Sequence, residues 1–493
     1  MFSLPGFVRI ALGTGGIALL SSCAVGPDFV APAAPQTQHY TYAPQSVDAG
    51  AAQGLTQRFS PATELPADWW QLFKSPALDA AVARALVNSP TLQATEANLR
   101  VAQDNLRAGD AVFFPWLDTN VGAQQVQSAS AQQGSTLPGS IYNVRTLSGS
   151  VSYPLDLFGG ERRSSEGLSA LVDVQRHAGQ AAFLTLTANV VNTCIARAAY
   201  LAQIRLTEAL IVLETDQLRS SEAQVRSGTA PYANLLSQRS LIAANQALLA
   251  PLRQKASQAE HLLVLLQGDL PSQSSPPVIE LETLTLPTDL PLSLPSQWVH
   301  QRPDILGAEA QLHVASANIG VATAALYPNI TLNATLGTTS SSLSHLFDAT
   351  GNFWSIGSSL TAPLFHGGAL RAQRQGARDA FDAAKANYRL TVLSAFTQVA
   401  DALKALNHDA QALQAQVDSE QNAHEALLLL QANYRAGLVA YVDVLTADVQ
   451  FHTASIAKLQ GVAQRYQDTV GLFVALGGGW WNQPAAKAHA PSP

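Results

Sequence analysis

The chain has 493 residues, a formal net charge of −7 and charged side chains at 13% of its positions. This length is enough for more than one domain. Because the chain is acidic and has no cluster of Lys and Arg, a nucleic-acid partner is not expected.

The chain begins with a segment typical of secretion signals. Arg9 precedes an apolar run, Ile10 to Leu20, that is too short to span a bilayer. The run ends in Leu-Ser-Ser-Cys23, which resembles a bacterial lipobox. We expect residues 1–22 to be a lipoprotein signal peptide and Cys23 to carry the lipid (palmitate among its acyl chains), with Ala24 favouring the outer membrane. The alternative is a plain signal peptide with an incidental cysteine. If Cys23 is acylated, Cys194 has no disulfide partner, and we interpret it as a small core residue.

An internal repeat organises the rest of the chain. Residues 90–117 align without a gap with residues 303–330, and 225–236 align with 434–445. Identical pairs include Pro90/Pro303, Glu96/Glu309, Gly228/Gly437 and Tyr232/Tyr441. The sequence therefore predicts two halves with the same architecture.

Each half contains a segment with the alternation of β-strands. In 117–124 and 330–337, apolar residues alternate with polar residues or Gly, and the runs 147–153 and 354–362 return with the same period. These patterns predict β-hairpins over 114–155 and 327–364, with long loops at 126–143 and 338–352. One apolar and one polar face suit a transmembrane barrel with lipid outside and water inside.

Four strands are too few to close such a barrel, since the smallest have about eight. An open sheet would expose unpaired backbone groups to hydrocarbon. The sequence therefore predicts that several chains share one barrel. The alternative is a sheet that rests on helices away from the membrane.

A long helix is predicted after each hairpin. Residues 161–225 and 369–434 contain no Pro and are rich in Ala. At 1.5 Å per residue, each would measure roughly 98 Å. Gly228 and Gly437 are typical helix stops. Shorter helices are predicted over 77–112, 233–266, 296–325 and 438–473, in pairs whose summed lengths are close to one long helix. Stacked end to end beside the long helices, they would build a tall helical tube.

The sequence resembles the TolC-like outer membrane factor family, in its NodT-type lipoprotein branch. The resemblance covers nearly the whole mature chain. It is carried by CAVGPDF (23–29) with Pro32, Trp69-Trp70 with Phe73 and Leu78, Arg302-Pro303-Asp304, PLDLFGG (154–160) with PLFHGG (363–368), QVADAL (398–403), YVDVLTA (441–447) and ALGGGW (475–480).

The resemblance implies an α+β membrane protein: a homotrimer whose twelve-stranded barrel, four strands from each chain, is continued by a periplasmic α-helical barrel. It implies an exit duct of a tripartite efflux system, with a periplasmic adaptor protein, an inner-membrane pump and outer membrane lipid as partners. The chain would then divide into the signal peptide 1–22, an N-terminal equatorial segment 23–76, a first repeat 77–285, a second repeat 286–476 and a C-terminal tail 477–493.

The resemblance also assigns two functional regions. The tips would dock the adaptor through Arg226, Gly228, Thr229, Arg435, Gly437 and Leu438, although the two glycines can also be read as simple helix caps. The periplasmic constriction would be formed by Val442, Asp443, Leu445, Thr446 and Asp448. Since no Arg lies close after the second tip, we expect an apolar ring with an acidic collar that favours cations. The alternative is that both Asp lie on a solvated helix face.

A passive channel needs no cofactor, metal or catalytic group, and none is expected. His424-Glu425 lacks the second His of a zinc-protease motif. Three other functions remain open: the outer membrane component of a secretion system, a structural lipoprotein that tethers envelope layers, and a diffusion porin. A tether would not need four alternating strands, and a porin would not need such long helices.

Overall fold

The computed structural model describes residues 24–37, 39–42, 48–60, 64–129, 139–292 and 298–482. Cys23, the predicted signal peptide and the last eleven residues lie outside these ranges. The chain forms two compact units. The first comprises Met1–Pro32, Asn98–Gln175 and Ala308–Tyr388, and the second comprises Ala33–Ala97, Arg176–Gly307 and Arg389–Pro493.

The helices alternate in length as the repeat requires. Each half has one very long helix of 67 residues, which is accompanied in the described ranges by three shorter helices in the first half and two in the second. In chain order the helices of more than ten residues in the described ranges are α1 (Pro76–Asn88), α2 (Pro90–Asp110), α3 (Gly160–Arg226), α4 (Tyr232–Leu266), α5 (Pro303–Ala324), α6 (Ala369–Arg435) and α7 (Tyr441–Ala475).

Two of the shorter helices differ from the prediction because of proline. The segment 77–112 is not one helix, since Ser89 is extended, with ψ of 118°, and separates α1 from α2. The helix predicted over 296–325 is interrupted, because residues 299–301 form a turn after the helical Trp298 and the long part of the helix begins at Pro303. In both places the proline ring disfavours a helical conformation of the residue before it. The last helix also begins at Tyr441 and not at 438.

The first unit contains a four-stranded antiparallel sheet in the order β3-β4-β6-β7. Its strands are β3 (Trp116–Gln127), β4 (Ile141–Leu155), β6 (Asn329–Ser340) and β7 (Asn352–Thr361). The predicted hairpins are therefore present, and β4 pairs with β6 to join them. β3 and β7 are the two edges of this sheet.

The pairing register separates the side chains of the sheet by polarity. Leu117, Val151, Ala334 and Ile356 stand opposite one another across all four strands. The neighbouring row on the other face consists of Asp118, Ser150, Thr335 and Ser355. Directly opposed residues share a face and successive residues alternate. One face is therefore apolar and the other polar along the same stretch of sheet.

The residues after the predicted lipobox pack within the first unit. The Val25 N–H donates to the Phe158 carbonyl at 3.0 Å, and the Asp28 carboxylate accepts from Arg163 Nη2 at 2.6 Å. Phe29 stacks on His313 with ring centroids 4.3 Å apart. A Cβ on Gly159 would lie 2.5 Å from the Cα of Ala24, so only Gly fits there. Ala24 therefore lies just beyond the end of β4.

The second unit contains a three-stranded sheet ordered β1-β2-β5, formed by β1 (Asp48–Ala52), β2 (Leu55–Ser60) and β5 (Asp289–Pro291). β1 and β2 form an antiparallel hairpin, and β5 pairs parallel with β2. Arg465 of α7 holds this hairpin. Its guanidinium donates to the carbonyl oxygens of Gly50, Ala52 and Leu55 at 2.9 to 3.3 Å.

An aromatic cluster forms the core beside this sheet. Trp69 is fully buried, with its ring centroid 5.7 Å from that of Phe473, and Phe73 contacts Tyr466 and Phe473. The tail predicted from residue 477 is packed over its first residues, because Trp480 Nε1 donates to the Gln301 carbonyl at 2.7 Å. The chain is therefore folded as far as Asn482.

Candidate functional site

The sheet supplies a wall with two chemically different surfaces. Leu117 and Ile356 of the apolar row are 74% and 79% exposed, although large apolar side chains are usually buried. Exposed apolar positions that alternate with polar ones are typical of strands that face lipid on one side and water on the other. The open edges β3 and β7 match the requirement that several chains complete the barrel.

The two helical tips have the same backbone geometry. The Thr229 N–H donates to the Gln224 carbonyl at 2.9 Å, and the Leu438 N–H donates to the Asn433 carbonyl at 2.9 Å. Gly228 and Gly437 have φ of +73° and +75°. These bonds and angles define a Schellman cap, which needs a left-handed residue after the last helical turn. Each glycine is thus a helix cap.

The tips are also open to contact. Of the described residues, none comes within 4 Å of the place that a Cβ would occupy on Gly228 or Gly437. Arg226 and Arg435 are exposed beside them. The first tip is polar, since Ser227 and Thr229 share a hydrogen bond of 3.0 Å, whereas Leu438 of the second tip is 73% exposed. Both tips therefore have an exposed Arg, and the second adds an apolar side chain.

The predicted constriction residues lie on the first two turns of α7. Val442, Thr446 and Val449 follow one another at four and three residues, which places them on one face. That face is exposed, with Val442 at 60% and Val449 at 47%. The Thr446 hydroxyl donates to the Val442 carbonyl at 2.8 Å, so it presents little polarity. We call Val442, Thr446 and Val449 the neutral stripe. Leu445 is half-buried beside it.

The two acidic residues do not form one collar. Five residues separate Asp443 from Asp448, which places them about 140° apart around a helix. Asp443 is exposed, and its carboxylate accepts from the Ala440 N–H at 3.0 Å, which caps the start of α7. Asp448 is only 7% exposed and faces the Glu214 carboxyl of α3. The sequence predicted Asp448 beside Asp443 in the constriction, but within one chain Asp448 is buried against α3.

Glu214 is a residue that the sequence analysis missed. It is 2% exposed, and Asn245 of α4 donates to its Oε1 at 2.7 Å. Burial, together with the facing Asp448 carboxyl, raises the pKa of Glu214 to about 8. A signal was present, because the apolar Leu210 lies four residues before Glu214, on the same face of α3.

Neither a metal centre nor a membrane-spanning helix is found in the part of the chain that the structure describes. No group of three or more His, Cys, Asp or Glu side chains there is arranged to hold a metal ion. None of the helices in these ranges combines the length and apolar content needed to cross a bilayer.

Comparison with known families identifies the chain. The family model described as "Outer membrane efflux protein" matches residues 81–269 and 294–478, one segment in each half of the chain. The chain belongs to this family. It is a TolC-like outer membrane channel with the α+β fold, in which three chains of four strands each form the barrel that a periplasmic α-helical barrel continues. It acts as the outer membrane exit duct of a tripartite efflux system.

Individual relatives agree with this class. The chain is 32% identical to "Pyoverdine export outer membrane protein OpmQ" of Pseudomonas putida, over 84% of this chain and 88% of that one. It is 30% identical to "Toluene efflux pump outer membrane protein TtgI" of the same species, over 97% and 98%. Among solved structures, the outer membrane channel OprN matches with a TM-score of 0.84 and 26% identity, over 93% of this chain and 100% of that chain.

Proposed function

We propose that the chain carries small toxic organic compounds to the cell exterior, and that a periplasmic adaptor protein and an inner-membrane pump deliver them to its helical tips. The observation that carries this proposal is the pair of identically capped tips, each with an open glycine and an exposed Arg. Open glycines permit a close approach of a partner backbone. The names of two relatives, a pyoverdine export protein and a toluene efflux pump protein, support small organic cargo.

This proposal is tested in the host bacterium. Deletion of the gene is expected to increase sensitivity to organic solvents or antibiotics and to raise their accumulation in the cell. The unaltered gene should restore both, and a cysteine placed at Ala436 should cross-link to an adaptor. Unchanged sensitivity to a broad panel of compounds, with no adaptor recovered, would favour the tethering lipoprotein.

The constriction is proposed to be an apolar ring formed by the neutral stripe of three chains, with Asp443 as its acidic residue. Three Asp443 carboxylates around one axis would raise the local concentration of cations. Since Asp448 is paired with Glu214, it contributes no charge to this ring. The neutral stripe closes the channel without an ion pair.

Asp443→Asn is expected to lower the cation selectivity of the channel by roughly half or more, because it removes three carboxylates from the constriction. The Asn side-chain oxygen still accepts from the Ala440 N–H, so the helix start is preserved. The measurement is the reversal potential in a planar bilayer under a salt gradient. Asp48→Asn, which removes an exposed carboxylate from β1, serves as the control. Equal selectivity of the wild type and Asp443→Asn would exclude the acidic collar.

The mature N-terminus is proposed to be lipidated at Cys23. The next residue, Ala24, lies against Gly159, just beyond the end of β4. This position would place acyl chains beside the membrane-facing strands, where each buried CH2 adds about 0.8 kcal/mol of membrane affinity. Intact mass measurement of the purified protein should show a triacylated Cys23, and a free N-terminus at any other residue would refute the lipoprotein.

A further inference from the structure

A pair of buried carboxyl groups joins α3 to α7 behind the neutral stripe. Glu214 and Asp448 are 2% and 7% exposed, and their carboxyl groups face each other. Neither ionised carboxylate can donate, so a hydrogen bond between the two groups requires a proton. In the described part of the chain, Glu214 Oε2 is buried and receives no N–H or O–H donor from any other side chain or backbone group. The pair is therefore complete only when it holds one shared proton.

The groups that face this pair do not compensate a second negative charge. From α4, Asn245 donates to Glu214 Oε1, and Gln238 donates to the Glu214 backbone carbonyl at 3.1 Å. From α7, Tyr441 and His452 lie alongside. Burial lowers the pKa of His452, which is hydrogen-bonded to Thr207 at 3.1 Å, and burial raises the pKa of Tyr441 to about 12. All four side chains are neutral near pH 7.

A second pair of the same kind lies farther along α7. Asp468, 9% exposed, faces Asp409 of α6, and Gln464 donates to Asp468 Oδ1 at 2.8 Å. Asp468 Oδ2 is buried and has no donor among the described residues. Asp409 is the ionisable group that faces it. Both contacts therefore attach α7 to a long helix through a carboxyl pair.

The direction of the pH effect follows from the two environments. Burial first, and the facing Asp409 next, raise the pKa of Asp468 to about 7, as burial and Asp448 raise that of Glu214 to about 8. A carboxyl whose pKa is higher in the folded state than in the unfolded state stabilises the fold at low pH. That contribution is complete below about pH 4, the ordinary pKa of a carboxyl, and is lost as the pH rises through 7 and 8.

We propose that Glu214–Asp448 and Asp409–Asp468 form an acid latch, which holds α7 against α3 and α6 while each pair shares a proton and releases it when the protons are lost. Two facing carboxylates in a poorly hydrated contact repel each other, so loss of the proton converts an attraction into a repulsion. Release acts on the helix that carries the neutral stripe. Loosening of this helix would favour opening of the channel. That consequence rests on the proposed function, whereas the change in helix packing does not.

Hydrogen exchange of the full-length, detergent-purified protein tests the latch. The reported quantity is the protection factor of the amides in 441–452, which is already corrected for the intrinsic effect of pH on exchange. Between pH 6.0 and 8.5 the wild-type protection should fall at least tenfold, since each pH unit between the two pKa values of a group changes the equilibrium about tenfold. Glu214→Gln should remove most of this fall, because its neutral amide can donate to Asp448.

Two further variants make the result specific. Asp448→Asn should also flatten the profile, so the latch can be judged even if Glu214→Gln does not assemble. Asp216→Asn removes an exposed carboxylate two residues away on α3 and should retain the wild-type profile. A flat wild-type profile, or a fall that persists in both Glu214→Gln and Asp448→Asn, would overturn the latch. If protection falls as expected but the protein does not conduct in a bilayer, the proposed function fails while the latch stands.

Discussion

Gly437→Glu is expected to abolish export, lowering resistance to the level of a deletion strain, while the trimer still assembles. The fold should tolerate the change, because space is open around Gly437. The φ of +75° costs a non-glycine residue only about 1–2 kcal/mol. The adaptor contact should not tolerate it, since three carboxylates would be added where a partner backbone approaches. Export is measured by drug accumulation, and assembly by the mass of the purified oligomer.

Gly54→Glu is the matched control for this prediction. Gly54 also has φ of +75° and open space around its Cα, but it lies in the turn between β1 and β2. Gly54→Glu therefore carries the same conformational free-energy cost without altering a tip, and export should stay near the wild-type level. Normal export by Gly437→Glu would show that the second tip does not dock the adaptor. Loss of export in both variants would indicate a folding defect.

Arg465→Leu is expected to destabilise the second unit by about 3–5 kcal/mol. Arg465 is 3% exposed and donates to three backbone carbonyls and to Gln57 Oε1. Leu would fill much of the volume but leave these buried acceptors without a donor, at about 1–3 kcal/mol for each group left unpaired and with incomplete additivity. The measurement is urea unfolding followed by tryptophan fluorescence, because Trp69 and Trp298 are fully buried in this unit.

Arg253→Leu controls for the loss of an arginine. Arg253 is 60% exposed and pairs with Glu208 on the surface, a contact worth about 0–1 kcal/mol. The unfolding free energy of Arg253→Leu should therefore stay close to that of the wild type. A similar value for Arg465→Leu would mean that water replaces the lost donors, and that Arg465 does not hold the β1–β2 hairpin.

The fold class could be predicted because its signals are local and repeated. Alternation of apolar and polar residues predicted the four strands, and proline-free segments ending in Gly228 and Gly437 predicted the long helices. The breaks at Ser89 and Arg302 were predictable too, since each precedes a proline. They were missed because the apolar pattern continues across them.

The faces of α7 could not be predicted from α7 alone. Asp443 and Asp448 look equivalent in the sequence, but Asp448 meets Glu214, which lies more than two hundred residues away. Arg465 likewise acts on backbone carbonyls of residues 50–55, which leave no side-chain pattern to detect. Such contacts are set by the tertiary arrangement of helices, not by the period of one helix.

The central claim, that three copies of this chain form a gated outer membrane duct, is tested most directly by planar-bilayer conductance of the purified protein, with its oligomeric mass determined beforehand. We predict a trimer with a small conductance that is closed most of the time, and whose open fraction rises when Val442 and Val449 of the neutral stripe are replaced by Ser. A monomer that does not conduct, before or after these substitutions, would contradict the account.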